Sequence, residues 1–576
     1  MPRANDEAAA LLQEMADLQA ILGRDAFRVR AYEKAAAAVA AYAKDIHGFD
    51  LTKLQGIPSV GKSMASRIQE FLDTGTISDL EALRLQVPAG VRAMTQIAGV
   101  GPKRAIVLYR EMGIDSVEAL VEACKAEKLR GLKGFGAKTE EKILKSLELT
   151  SAHGDRVLID TALDLAETLI AELRDMDEIL DISYAGSLRR MRETIGDIDL
   201  LVASTNAAPI MERFTSLDAA GHVLAHGDTK SAIVARGGLQ VDLRVVEPDA
   251  WGAAMIYFTG SKAHNIKIRE RAVKAGLKLN EYGLFRLEDD ERIAARTEDD
   301  VYEALGMAWI PPQIREDAGE IDAALNGTLP SLVQVKDLRG DLHTHTNMSD
   351  GHATLEEMVA EAARLGYSYY LVTDHAGDFM AMQRVTREKM LDQRARIDTL
   401  QKKYPKLRIL HGTELNIQPD GRVDYDPAFL AGFDLCVASV HSHFTLPREQ
   451  QTARLLAAIE NPNVHVIGHP SGRQIGRRAP IEFDEETVFK AAAASGTALE
   501  INAHPDRLDL RDEHARLAKS LGATVSIDSD AHAVGHLAGI RFGVGTAQRG
   551  WIERGDVLNC KTLRQLEAFV ARKRAR

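Results

Sequence analysis

Seven short apolar runs in the C-terminal part of this 576-residue chain constrain its fold more than any other feature. They read DLHTHT, YLVTDH, ILHGTEL, LCVASVHS, VHVIGHP, ALEIN and TVSIDSDAH, most carry His, Asp or Glu near their ends, and Ala-rich stretches of helical spacing separate them. A strand followed by a helix is a βα unit, and repeated units build a parallel sheet whose functional groups gather at the C-terminal strand ends. The expectation for 338–576 is a distorted α/β barrel. Its rim would carry His343, His345, Asp350, His375, Glu414, His441, His469, Asp530 and His532. Nine N/O ligands without Cys exceed what one tetrahedral zinc takes, and suit two or three ions of Zn, Mn or Fe. Water held by such a cluster loses a proton near neutral pH and can attack a phosphate in line. Histidine usage agrees, with 5 of 18 before residue 330 and 13 after it. His411, His443, His465 and His504 read as ordinary structural histidines.

Composition excludes several classes. Hydrophobic residues at 45% and charged residues at 27% are globular values, and 576 residues imply several domains. No apolar run reaches eighteen residues, the start MPRANDEAAALLQEM is charged and amphipathic, and Cys124, Cys436 and Cys560 lie too far apart for a disulfide framework. A cytoplasmic monomer with no membrane partner is the expectation. The net charge of −12 argues against nucleic acid until it is located: residues 1–150 hold 21 Lys+Arg against 20 Asp+Glu, so the acidity lies elsewhere.

Residues 1–150 read as helical throughout, with three related turns, Ile57-Pro58-Ser59-Val60-Gly61-Lys62, Ile97-Ala98-Gly99-Val100-Gly101-Pro102-Lys103 and Leu132-Lys133-Gly134-Phe135-Gly136-Ala137-Lys138. Glycine permits positive φ and close backbone approach, and the following helix offers free N–H groups to a phosphate. These turns resemble helix-hairpin-helix DNA-binding motifs, which implies backbone contacts to DNA through Gly61, Lys62, Gly99, Gly101, Lys103, Gly134, Gly136 and Lys138.

From about 155 the texture changes to β-branched runs between helices. Gly186-Ser187-Leu188-Arg189-Arg190 precedes Gly196-Asp197-Ile198-Asp199, and Asp242 follows on a further run. Residues i and i+2 of a strand share a face, so Asp197 and Asp199 point together and Asp242 on a neighbouring strand can join them. Three carboxylates on one face repel unless divalent cations sit between them, as in two-metal phosphoryl transfer. The Gly-Ser turn would cradle phosphate and Arg190 add a fixed charge.

The segment Tyr257-Phe258-Thr259-Gly260-Ser261-Lys262-Ala263-His264-Asn265, continuing to Asn280-Glu281-Tyr282-Gly283, resembles the thumb of family X DNA polymerases. The resemblance implies a nucleotidyltransferase palm with a mixed sheet, two Mg2+ on Asp197, Asp199 and Asp242, and a dNTP held by Gly186, Ser187, Arg190, Gly196, Tyr257, Phe258, Gly260 and Asn265. Lys230 and Arg269 would contact DNA, and Arg244 would help switch the site between open and closed states. The chain departs from the family at Met191, where Gly commonly follows Arg-Arg. It also carries Arg67 where one branch has a Schiff-base lysine, so 5′-deoxyribose phosphate lyase activity is expected to be missing, with Arg67 left to attract a 5′-phosphate. The histidine-rich segment resembles the PHP (polymerase and histidinol phosphatase) domain with all nine ligands present, which implies Mn2+ or Zn2+ and 3′–5′ exonuclease activity. Gly472-Arg473 and Arg477-Arg478 could hold DNA phosphates beside it.

The expected organisation is multidomain α/β: 1–80 a helical helix-hairpin-helix domain, 81–150 fingers, 151–245 palm, 246–322 a small thumb, 323–337 a linker and 338–576 the PHP barrel. The expected activity is filling of short gaps in DNA repair on gapped or primer-template DNA. The opposing reading is a DNA-end scaffold with a decayed polymerase module and a phosphoesterase of another substrate.

Overall fold

The computed structural model describes residues 4–40, 46–57, 59–84, 86–94, 100, 102–126, 128–132, 135, 143, 156–377, 385–476 and 478–575. Two compact units form, one comprising Met1–Arg156, Ala220–Ala225 and Ile233–Gln240, the other Val157–Ala219, His226–Ala232 and Val241–Arg576.

Within Met1–Arg156 the described residues of the first unit form helices and turns. Leu12, Met15 and Leu18 of the helix Ala4–Ile21 share an apolar core with Tyr32, Val39, Ile57, Ala65, Ile68, Leu108 and Leu120. The helix Lys62–Thr74 begins after Gly61 and ends at Gly75, whose φ of 77° is the left-handed cap that glycine adopts without steric cost. At the first Gly-turn the expected positive φ falls on Ser59 (φ 64°), while Gly61 is extended at φ −75°. Gly61 is the N-cap of the helix, and an N-cap needs extended backbone. A Cβ at Gly61 would meet nothing within 4 Å. Lys103 lies in the helix Pro102–Met112. Its side chain, and Gly99, Gly101, Gly134, Gly136 and Lys138, lie outside the described residues.

The second unit opens with the helix Ile159–Leu173, which buries Ile159, Ala162, Leu163, Ala166, Leu169, Ile170 and Leu173, a stripe at 3- and 4-residue spacing. The strands Asp181–Tyr184, Asp197–Ala203 and Gln240–Val246 follow, neighbours in that order in one sheet. The first two strands are antiparallel. Beyond it come the helices Trp251–Thr259 and Lys262–Lys274 and a small antiparallel sheet of Leu277–Asn280, Gly283–Arg286 and Arg292–Ala294.

The histidine-rich segment forms seven parallel strands, Gly340–Asp341, Tyr369–Val372, Arg408–Asn416, Leu435–Ser439, Val466–Gly468, Ala498–Asn502 and Val525–Asp528, each paired with the next. A parallel bridge between Thr344 and Ala531 joins the two ends into a nearly closed barrel, the expected architecture. Leu342, Tyr369, Leu371, Leu410, Leu435, Val437 and Val466 cluster with Leu566, Phe569 and Val570 of the terminal helix Leu563–Arg574. Strands covered on both faces read as continuous apolar runs, which is why they were legible.

The segment expected as a linker, 323–337, is not a free tether. The helix Glu320–Asn326 runs across its start, and Val333 is fully buried in the barrel core, its N–H donating to the Ile552 carbonyl at 3.0 Å. The polar and Gly/Pro residues around it masked that anchor. No described helix is long and apolar enough to cross a membrane.

Candidate active sites

The strand Asp197–Ala203 alternates as period 2 requires, carrying Asp197 and Asp199 on one face and burying Ile198 and Leu200 on the other. Asp242 sits on the adjacent strand. Burial, and then the charges of Asp197 and Asp242, push the Asp199 carboxyl up to about 7, with Lys230 and Arg244 opposing. Lys230 Nζ lies 2.6 Å from Asp242 Oδ2, so the lysine expected to touch DNA is paired inside the carboxylate group.

Gly186 has φ 60°, and a Cβ there would lie 2.3 Å from Asp199 Oδ2. The missing side chain of Gly186 thus leaves room for the Asp199 carboxylate against the turn. It opens only a single helical turn, Gly186–Arg189, so phosphate attraction at this end falls mainly to side-chain charge. Ser187 is half-buried there, and Gly196 is exposed just ahead of the strand. Arg190 donates through Nε to Glu316 at 3.0 Å and through Nη1 to the Thr259 carbonyl, beside Gly260. Arg189, which was not singled out, makes a bidentate pair with Glu298 at 2.7 and 2.9 Å, and Arg315 donates to the same carboxylate at 2.8 Å. Burial raises the Glu298 pKa, but Arg315 and Arg189 outweigh it and hold the group well below the usual carboxylate range.

Tyr257 and Phe258 meet edge to face at 5.0 Å, and the Arg244 guanidinium lies 4.9 Å from the Phe258 ring. Asn265 Nδ2 donates to the Tyr257 carbonyl at 2.7 Å, and Arg269 Nε to the Asn265 carbonyl at 3.1 Å. One cavity wall holds Tyr257, Asn265, Arg269 and Asn280 together. The dispersed residues of the expected nucleotide pocket, from Gly186 to Arg269, therefore form two adjoining groups linked by the Arg190 contact with Thr259 and Gly260.

The barrel brings all nine expected ligands to one end. Three groups of ligand atoms each lie within 4.8 Å of one another: His345, Asp350, His375 and His532; His343, His345 and Asp530; His375, Glu414 and His441. Glu414 joins them, with Oε1 3.0 Å from His441 and 3.1 Å from His469, and Oε2 2.9 Å from His375 and 3.4 Å from His343. The buried ring nitrogens His343 Nε2 and His345 Nε2 have no hydrogen-bond partner among the described residues. Orphaned imidazole nitrogens facing ionised carboxylates are what a cation fills, so the residues fit a multi-metal centre.

Outer partners aim these rings. His343 Nδ1 lies 2.7 Å from Glu500, His441 Nδ1 2.8 Å from Asn416 Oδ1, and His532 Nδ1 2.7 Å from the Asp530 carbonyl. Such contacts fix the tautomer and present the other nitrogen to the metal. Burial opposes the His343 imidazolium, yet Glu500, Glu414 and Asp530 hold its pKa well above the ordinary value. Glu500 was missed from sequence; its signal was a lone acid in the apolar run ALEIN.

The basic loop departs from the expectation. Arg473 is buried, and it donates to the Arg507 and Leu508 carbonyls and to Glu193, so it cannot reach a phosphate. Arg478 donates to the Gly472 carbonyl at 2.7 Å and lies over the Phe444 ring, while Arg477 falls outside the described residues. A cation beside the cluster is Arg507, whose Nε is 3.5 Å from Asp530 Oδ2 and whose Nη1 is buried without a partner among the described residues. His411 and His465 are structural: Arg394 donates to His411 Nδ1 and the Cys436 N–H to His465 Nδ1. Arg67 is engaged by Asp79 and the Ser63 carbonyl, so a 5′-phosphate would compete with Asp79 for it.

Acidic residues on a sheet beside a Gly-Ser turn, a thumb, and a histidine-rich barrel define a polymerase-type nucleotidyltransferase joined to a metallo-phosphoesterase. Family patterns match accordingly: DNA polymerase beta thumb at 254–316, a helix-hairpin-helix domain at 3–77, a SAM-like helix-hairpin-helix tandem at 91–149 and the PHP domain at 341–504. The chain is 37% identical to the DNA polymerase/3′-5′ exonuclease PolX of Bacillus subtilis (strain 168), over 98% of each chain. It therefore belongs to the PolX family, the family X DNA polymerases with a PHP domain, and is an enzyme. Over part of its length it is also 31% identical to a probable phosphatase of Syntrophotalea carbinolica (38% of this chain, 90% of that one) and 32% identical to one of Caldanaerobacter subterraneus subsp. tengcongensis (33% and 75%).

Proposed function

We propose that this protein fills short gaps in DNA, adding deoxynucleotides to a primer 3′-OH at Asp197, Asp199 and Asp242, and trims 3′ ends at the barrel cluster. The observation that carries the first half is geometric: Asp197 and Asp199 share one face of their strand, Asp242 lies on the adjacent strand, and Gly186 leaves the Asp199 carboxylate the space of its missing side chain. Such a group is stabilised by divalent cations, with Mg2+ the natural occupant of an all-oxygen site. The metals would supply charge for activating the hydroxyl and holding the triphosphate. The chain's own residues do the rest: Gly186 gives Asp199 room, Arg190 offers its remaining donors to phosphate, and Tyr257, Phe258 and Asn265 wall the nucleotide. Phosphate contacts from the exposed Gly61-Lys62 turn would position DNA without reading bases.

In the barrel, Mn2+ or Zn2+ would polarise water and phosphate, and Arg507 would stand by the substrate's negative charge. The likeness of part of the chain to probable phosphatases supports a second reading for this half, in which it cleaves a phosphate ester other than a DNA 3′ end. A one-nucleotide-gap extension assay tests the first activity. The Asp197→Ala/Asp199→Ala double variant is expected to lose extension and keep Mn2+-dependent removal of 3′ nucleotides; template-directed extension by that variant would sink the assignment. Release of phosphate from small esters but no shortening of DNA by the wild type would favour the second reading.

A further inference from the structure

The palm and the barrel meet at a polar and steric contact that reaches the nucleotide site. Arg549 closes the barrel helix Ile540–Arg549, and its side chain is only 7% exposed. Its Nη1 donates to the Arg190 carbonyl at 3.0 Å and to Glu316 Oε1 at 2.9 Å. That same Glu316 oxygen accepts from Arg190 Nε at 3.0 Å. On its other side Arg549 Nη2 lies 2.7 Å from Asp512, a barrel carboxylate. Arg190 is thus gripped twice by one barrel residue, at its backbone directly and at its guanidinium through Glu316.

The neighbouring residue explains the departure at 191. Met191 adopts φ 55° and lies over Gly545 of the same barrel helix, where a Cβ would come within 2.6 Å of Met191 Cε and 3.1 Å of its Cβ. The side chain that replaces the usual Gly is a knob, and Gly545 is its notch. Glu193, two residues on, pairs with the barrel's Arg473 at 2.7 Å. The loop from 190 to 193, which joins the Gly-Ser turn to the Asp197 strand, is therefore held by three separate barrel side chains or notches.

We propose that the barrel sets the polymerase's affinity for the incoming nucleotide, with Arg549 as a positioning residue that fixes Arg190, through Glu316 and the Arg190 carbonyl, for binding the triphosphate. A buried cation held by two carboxylates, Glu316 of the thumb segment and Asp512 of the barrel, keeps both carboxylates in place. The inference rests on the reading of Arg190 as a triphosphate ligand, and the test separates the two.

Single-turnover filling of a one-nucleotide gap by the full-length protein, at varied dNTP with Mg2+, yields nucleotide affinity and maximal rate independently. Arg549→Gln is expected to weaken dNTP binding by roughly tenfold, the scale of one lost charge-assisted contact, with the maximal rate within about threefold. Arg549→Lys is expected to recover part of the affinity. Gly545→Ala should weaken binding by displacing Met191, and adding Met191→Gly should restore it, which covers the case in which Arg549→Gln fails to fold. Arg541→Ala, which removes a surface pair with Asp164 and Glu167 at the same interface, should leave the affinity within about twofold. Unchanged dNTP affinity in Arg549→Gln and Gly545→Ala, while Arg190→Gln weakens it, would overturn the positioning role alone. Equal losses in affinity and rate that follow thermal stability would overturn it too, as a merely structural effect. Unchanged affinity in Arg190→Gln would overturn the triphosphate reading itself.

Discussion

Gly186 illustrates how much one residue can carry. Its φ of 60° and the Asp199 oxygen in the space of its missing Cβ leave alanine two penalties, backbone strain and a clash with a carboxylate. Gly186→Ala is expected to lower gap filling by roughly a hundredfold or more, because misplacement of about 1 Å at reacting groups costs that much. Thermal unfolding, measured alongside, should register a loss of stability of roughly 1–3 kcal/mol, too small for unfolding to account for the loss of activity. Buried histidines offer a second test. Burial, with the charges of Arg574 and Lys573, pushes His465 down to about 3, and its Nδ1 accepts the Cys436 N–H. The unfolded chain binds a proton below about pH 6.5 that the folded chain refuses down to about pH 3, so the stability from a neutral His465 is complete above 6.5 and lost as pH falls. His411, also pushed down to about 3, acts in the same direction. Urea titrations from about pH 7 to 4 should show a shallower loss of stability for His465→Gln than for wild type. An identical acid limb would remove His465 from the account.

At the scale of elements, the barrel strands carry both the legible and the hidden parts of the metal centre. Every proposed ligand sits at or near the end of an apolar run, so the strand pattern and the ligand set were read together. Their supports were not, since His343 finds Glu500 across a sequence gap of 157 residues and only strand order brings them together. His343→Ala should lose bound metal, measured as metal per protein after chelation and Mn2+ reloading, together with trimming of 3′ ends. Glu500→Gln should retain the ligands but bind metal roughly 10–100-fold more weakly, as outer partners do elsewhere. Metal content and affinity equal to wild type in both variants would exclude this centre. The carboxylate strand was legible for the same reason, a period of two, whereas Arg189 with Glu298 spans 109 residues and was not.

For the whole molecule, net charge misleads and distribution informs. Near-neutral residues 1–150 and exposed Lys62 predict DNA binding that favours gaps, tolerates any sequence and weakens with salt, with a slope of about 0.9 per phosphate neutralised. Affinity unchanged between low and moderate salt would count against the Gly-turns as the grip. Borohydride trapping on a 5′-deoxyribose phosphate should give no adduct, since Arg67 is a permanently charged guanidinium held by Asp79. The sequence by itself determined the classes of element, the barrel, and both sets of chemical groups, because periodicity and ligand chemistry are local properties of a chain. Tertiary structure alone decided which charges are spent: Arg473 on carbonyls and Glu193, Lys230 on Asp242, Arg549 between Asp512 and Glu316. It also turned Met191 from an exception into a contact and Val333 from linker into core. A charge or a methyl group acquires its role only from what is packed against it, and packing joins residues hundreds of positions apart.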